Sequence, residues 1–376
     1  MSNYKEIEIV VDNNSWGSKS APLEIKKLSG FRSANIDLSL LHTALWTRPP
    51  KYTGFDLSDC WAWLRYQRAF AGISDLMFRS EWNDIDPHQK TVSSDELGVG
   101  FTTQLFVEEL DFLAYGDTKY ILEILDPYGS WIAKKSKNGQ NKLPDYIAID
   151  SKLRLNILEC KGTQTSLSSL SKAIQGGRTQ KTNINPNGGV KINHSLVSGL
   201  YIPQWNKPSK ATIQISDPIW EDLMLFLEKS NFQDLSVTIT QIVMAKQFAL
   251  MGFYSMANAI MNISIKHHGS RKILNVSDRD FEFLRSGDYL VFSLDMPLPP
   301  HEIFVEDIRA KTRRVNFRIS YPFENFRNLL ESTDVFESFD VITRGLEGKK
   351  WKQSETDTTV VLISPFGFEL SLQYLY

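Results

Sequence analysis

A chain of 376 residues, 42% hydrophobic and 12% aromatic, holds enough apolar mass for two or three packed domains and is not a disordered chain. No apolar run is long enough to span a bilayer, and the first residues, Met1-Ser2-Asn3-Tyr4-Lys5-Glu6, lack the apolar core of a signal peptide. Two cysteines, Cys60 and Cys160, make no disulfide framework and no zinc spacing, so a cytoplasmic protein is expected, with no membrane partner.

Residues 1–90 open with a strand, Glu6 to Val11, and reach a turn at Trp46-Thr47-Arg48-Pro49-Pro50. A helix is expected from Leu57 to Phe70, with Asp56 as its N-cap. This part offers no chemistry and reads as a packing or lid region. Helical apolar spacing follows from Leu97 to Leu110. Ser93 with Glu96 three residues on fits a capping box, a complete structural account of Glu96. Gly98 and Gly100 cost helix stability, which points to a close approach by backbone or ligand, or to helix packing. Lys119 to Leu125 reads as the first strand of a sheet, stopped by Asp126-Pro127-Tyr128-Gly129, and Lys134 to Gln140 as a polar loop.

Leu143 to Thr163 is the stretch that carries chemistry. Two apolar runs of period two flank Ser151-Lys152-Leu153, which predicts a hairpin. With Lys152 at the turn, Ile149 faces Leu155, Ile147 faces Ile157, and Asp150 faces Arg154 as an opposite-charge pair. A slip by one residue would set Ile149 against Arg154, which the apolar pattern disfavours. The same register sets Asp145 opposite Glu159, with Lys161 two residues on and on the same face. Two carboxylates and an ammonium then share one end of an apolar face. That is costly unless they are paired or hold a metal, and hard oxygen donors suit Mg²⁺ or Mn²⁺. Around them the charge is one-sided: between 131 and 210 thirteen Lys and Arg stand against three Asp and Glu. Such a stripe suits a phosphodiester polyanion.

Past the hairpin, Ser166 to Gln175 is helical and ends at Gly176-Gly177. Strands are expected at Ser195 to Ile202 and Ala211 to Ile215, and helices across 217–264, from Pro218 to Leu227 and from Val237 to Ile263. Beyond 265 strands return at Asp288 to Leu294, Arg314 to Ile319, Thr359 to Ile363 and Phe368 to Leu372. The reading is a core over 91–265, preceded by the 1–90 region and followed by an α+β accessory domain over 266–376.

Pro144-Asp145 and then Glu159-Cys160-Lys161 at the end of the next strand resemble the PD-(D/E)XK nuclease superfamily, over about residues 91–215. The resemblance implies an α/β restriction-endonuclease-like fold, a mixed sheet flanked by helices, here with added N- and C-terminal regions. It implies a metal-dependent endonuclease acting on DNA, with Mg²⁺ (Mn²⁺ able to substitute) held by Asp145 and Glu159 and the Cys160 carbonyl as a further ligand. Lys161 would orient or deprotonate the attacking water. Members often carry an acidic residue on the helix before the sheet, which would make Glu96 a metal ligand, and a polar residue on the helix after it, which would be Gln175 or Gln180; for either glutamine alone a solvated helix end is the simpler account. Defence against foreign DNA in bacteria is the expected setting, with the flanking regions open to self-association or a partner protein. The competing expectation is a nucleic-acid-binding or scaffold protein with a catalytically inactive nuclease-like fold.

Overall fold

Alternation and turn chemistry lay down the strands of a seven-stranded sheet: β1 (Tyr4–Val11), β2 (Gly30–Asn35), β3 (Phe112–Asp117), β4 (Tyr146–Asp150), β5 (Leu155–Thr163), β6 (Ile192–Tyr201) and β7 (Thr212–Ser216), in the order β2-β1-β7-β6-β5-β4-β3. The computed structural model describes residues 3–16, 20–51, 66, 69–125, 143–179, 192–217, 232–263, 284–297, 314–332 and 334–375. The sheet is mixed: β5 runs parallel to β6 and β1 parallel to β7, while the other neighbours are antiparallel. The chain is therefore an α/β protein, and its first two strands extend the same sheet as the hairpin.

The hairpin has the expected register, Ile147 opposite Ile157 and Ile149 opposite Leu155. Its turn is held by Asp150, whose Oδ1 accepts from the amides of Lys152 and Arg154 at 2.9 Å each, while Arg154 Nε donates to Oδ2 at 2.8 Å. Leu153 takes the left-handed conformation there, at φ 55°.

The helices that flank this sheet among the described residues are α1 (Leu23–Lys26), α2 (Ile36–Trp46), α3 (Pro87–Leu110), α4 (Thr118–Leu125), α5 (Leu167–Thr179), α6 (Phe232–Leu250) and α7 (Tyr254–Met261). Three of them depart from the expectations above. Helix α3 begins at Pro87, with Asp86 accepting from the His88 amide, so Ser93 lies inside the helix and forms no capping box with Glu96. Ser93 instead donates to the Lys90 carbonyl at 3.1 Å. Lys119 to Leu125 is not a strand but the body of α4, with Thr118, Ile121 and Leu122 turned inward at helical spacing. The strand at this edge is β3, whose first five residues are all buried; a strand covered on both faces shows no alternation to read. The helix expected from Val237 to Ile263 is broken after Leu250, where Gly252 takes φ 81°. The helix expected from Leu57, the loop from Lys134 to Gln140 and the helix from Pro218 to Leu227 lie outside the described residues, apart from Tyr66, Ala69 and Phe70.

A second, six-stranded antiparallel sheet is formed by β8 (Arg285–Ser286), β9 (Tyr289–Pro297), β10 (Arg314–Pro322), β11 (Lys352–Glu355), β12 (Thr359–Ile363) and β13 (Glu369–Leu375), with α8 (Phe323–Glu331) and α9 (Val335–Arg344) beside it. Helix α6 packs against it: Phe248 lies 5.2 Å from the Tyr321 ring and 5.0 Å from Phe368, and Thr343 bonds Thr240 at 2.8 Å. Trp351 Nε1 donates to the Leu113 carbonyl at 2.9 Å, so this region satisfies a backbone group on the outer strand β3.

Candidate active site

Asp145 precedes β4 and Glu159 lies at the middle of β5, which runs on past the hairpin to Thr163, so the hairpin register sets them side by side. Each carboxylate accepts from backbone across the gap. The Asp145 amide donates to Glu159 Oε2 at 3.0 Å, and the Cys160 amide donates to Asp145 Oδ2 at 2.8 Å. Glu159 is 2% exposed, and its Oε1 forms an ion pair with Lys161 Nζ. The three residues read from the motif thus meet at one end of the hairpin.

A fourth joins them, and it is Asp95 rather than Glu96. Burial raises the pKa of its carboxyl, and the Lys161 charge and the Gly162 amide pull it down. Glycines put it there. A Cβ on Gly162 would lie 1.7 Å from the Ser94 carbonyl oxygen, and one on Gly98 would lie 2.5 Å from the Lys161 carbonyl oxygen. The backbone of α3 therefore rests on the backbone of β5, at a separation that no side chain permits. Gly100 faces α2 in the same way, its missing Cβ lying over the Ser39 carbonyl. Glu96, one residue on from Asp95, points elsewhere and accepts from the Tyr66 hydroxyl. On α3 it is the charge of Asp95 that acts on Glu159, while Glu96, the residue expected from the motif, bonds Tyr66.

Gln175 is exposed on α5, and Gln180 lies outside the described residues. Of the basic residues, Lys172 is exposed, while Lys134, Lys135, Lys137 and Lys142 lie outside the described residues. The Cys160 thiol is buried, and burial pushes its pKa well above the usual cysteine value, reinforced by Asp145 and Glu159. It is an inert core thiol rather than a nucleophile.

The electrostatics follow from burial. Burial, and then the Glu159 charge, push Asp145 up to about 7 from an ordinary 3.8, against the pull of the Cys160 amide and Lys161. Burial raises Glu159 as well, countered by Lys161 and reinforced by Asp95. Asp95 is raised by burial and eased by Lys161. Burial works to lower Lys161, but Glu159 and Asp145 outweigh it and hold the side chain above the ordinary lysine value. Lys161 is an ammonium at neutral pH, which suits it to orienting a water or offsetting phosphate charge and not to taking a proton.

Three carboxylates around one ammonium, with Glu159 buried, Asp145 half-buried and Asp95 exposed, leave an excess of negative charge. That donor set suits a hard divalent cation in its chemistry. Among the described residues no three His, Cys, Asp or Glu side chains are already drawn together as a coordination group, and Glu159 spends both oxygens on Lys161 and the Asp145 amide.

No protein-family model, curated protein or solved structure matches this chain.

Proposed function

We propose that the protein is a divalent-metal-dependent nuclease of the PD-(D/E)XK type that hydrolyses nucleic-acid phosphodiester bonds, with DNA as its substrate. The observation that carries this reading is Asp145 and Glu159 side by side at one end of a hairpin, with Lys161 paired to Glu159 and Asp95 of α3 within reach of the Lys161 charge. The one-sided basic charge between 131 and 210 supports a polyanionic substrate. The choice of DNA follows from the resemblance.

In this reading Asp145 and Glu159 hold Mg²⁺ or Mn²⁺, and Asp95 takes the place expected of Glu96. A bound divalent ion supplies charge neutralisation at the phosphoryl oxygens and a water of lowered pKa. The chain supplies the rest. The Cys160 amide fixes the orientation of Asp145, and Glu159 holds Lys161 by its ammonium. Lys161, with 28% of its side chain exposed, offers its positive charge to the phosphate and its protons to orient the water.

One observation favours the competing reading, a scaffold that binds nucleic acid without cutting it: Glu159 is fully engaged within the protein. Incubation of the full chain with plasmid and oligonucleotides separates the two. Cleavage in Mg²⁺ or Mn²⁺ that stops in EDTA and in Asp145→Ala supports the nuclease. Salt-dependent binding with no cleavage in either metal supports the scaffold and overturns the proposal.

A further inference from the structure

Lys246 is the sole charged residue between Val237 and Leu250, and α6 carries it into the core at 1% exposure. Its ammonium meets Asp117 Oδ2 at 2.7 Å, donates to the Trp46 carbonyl at 2.8 Å and lies 5.4 Å from the centre of the Tyr146 ring. The Tyr146 hydroxyl donates to the same Trp46 carbonyl at 2.9 Å. One buried ammonium thus joins α6, the end of α2, β3 and β4.

Stability alone is a poor account of this pair. Burial lowers Lys246 below the usual lysine value in spite of Asp117, and raises Asp117 above the usual aspartate value in spite of Lys246. Desolvation outweighs attraction on both sides, with Lys246 wholly buried and Asp117 keeping 21% of its side chain exposed, and ion pairs taken this far out of water can often be replaced by apolar groups of similar volume at no loss.

The position of the pair offers a better account. Asp117 ends β3 directly opposite Tyr146, the residue after Asp145. The amide of the next residue, Thr118, donates to the Asp145 carbonyl at 3.0 Å. Tyr146, held over Lys246, anchors the other side of the same peptide unit. Asp145 is thereby gripped from both sides by groups that the buried pair fixes in place, while its own carboxylate reaches the Cys160 amide. The Asp117 charge also reaches Asp145.

We propose that Lys246 and Asp117 are positioning residues for the candidate active site, fixing through Thr118 and Tyr146 the backbone that presents Asp145. The consequence for turnover rests on the nuclease reading; the consequence for the backbone does not.

The test is the full chain carrying Asp117→Asn together with Lys246→Met, which removes both charges and leaves neither partner unpaired. Its melting temperature should stay close to the parent's. Hydrogen exchange at the Thr118 and Cys160 amides should quicken by at least about tenfold, while amides of Phe317 and Ile319 in β10 stay unchanged. Turnover in Mg²⁺ should fall about 10- to 100-fold, the range seen when groups that orient a metal-binding side chain are lost, with duplex affinity in Ca²⁺ unchanged. Parent-like exchange at Thr118 and Cys160, or parent-like turnover alongside faster exchange, overturns the assignment. Should the double variant not fold, Asp117→Asn alone is read in the same way, and failure of both to fold makes the pair structural and overturns it too. A parent protein that cuts nothing sinks the nuclease reading, and the amide exchange then still decides whether the pair positions Asp145.

Discussion

Replacing Asp145 by Asn in metal-free buffer should make the protein more stable, and increasingly so as the pH rises. The folded protein holds this carboxyl at about 7 against an ordinary 3.8, because it is half-buried and poorly hydrated beside the Glu159 charge. A carboxyl raised on folding contributes its full stability below the unfolded value and loses it as the pH climbs to the folded one. Each tenfold step in proton affinity is worth about 1.4 kcal/mol. Relative to acid pH, the raised carboxyl therefore takes about 4 kcal/mol from the metal-free fold at pH 8, where it is ionised, and about 2 kcal/mol at pH 5, where the fold must hold a proton that the unfolded chain has released. Asparagine does not titrate, and its Oδ1 can still accept from the Cys160 amide. Urea unfolding in EDTA, parent against Asp145→Asn, should show the advantage of the variant growing by about 2–3 kcal/mol between pH 5 and pH 8. The fixed effect of exchanging an acid for an amide is the same at both pH values and drops out. Glu159 ionises more easily beside an amide, which acts in the same direction. A pH-independent difference, or a variant that loses ground as the pH rises, would refute the like-charge reading of this pair.

Three more outcomes follow from the same geometry. Asp95→Asn should lower metal-dependent cleavage on the order of tenfold or more, while Glu96→Gln leaves it near the parent's level; equal effects in a turnover assay would return Glu96 to the site. Lys161→Ala should reduce turnover about 10²- to 10⁴-fold and still bind duplex in Ca²⁺, and near-full cleavage by that variant would remove Lys161 from the chemistry. Gly162→Ala places a methyl group 1.7 Å from the Ser94 carbonyl oxygen and should destabilise the fold by about 1–3 kcal/mol or more; a melting curve matching the parent's would show that α3 and β5 are not in backbone contact.

The local features are legible in the amino-acid sequence. Over Tyr146 to Asp150 and Leu155 to Leu158 the pairing keeps the register read from the apolar pattern, with Ile147 on Ile157 and Ile149 on Leu155, although the structure buries both faces of these strands. From that register alone Asp145, Glu159 and Lys161 come together. Other signals are present but point less clearly. Asp86-Pro87 is a helix start, and a helix begun there rather than at Ser93 puts Asp95 and Glu96 deep in α3. The single charge in the apolar run that forms α6 is a flag for Lys246.

By itself the sequence determined the hairpin, its turn, its register and hence the three motif residues, since strand pairing across a short turn depends on neighbours a few residues apart. The tertiary structure alone decided that Asp95 faces the hairpin and Glu96 faces Tyr66, because the rotation of α3 is set where Gly98 and Ser94 meet Lys161 and Gly162, far away in the chain. It also decided that Asp117 and Lys246 stand beside Asp145. Phe112 to Tyr115 are buried on both faces and carry no period to mark them as a strand, and an ion pair between β3 and α6 exists only once both are packed on the same sheet edge.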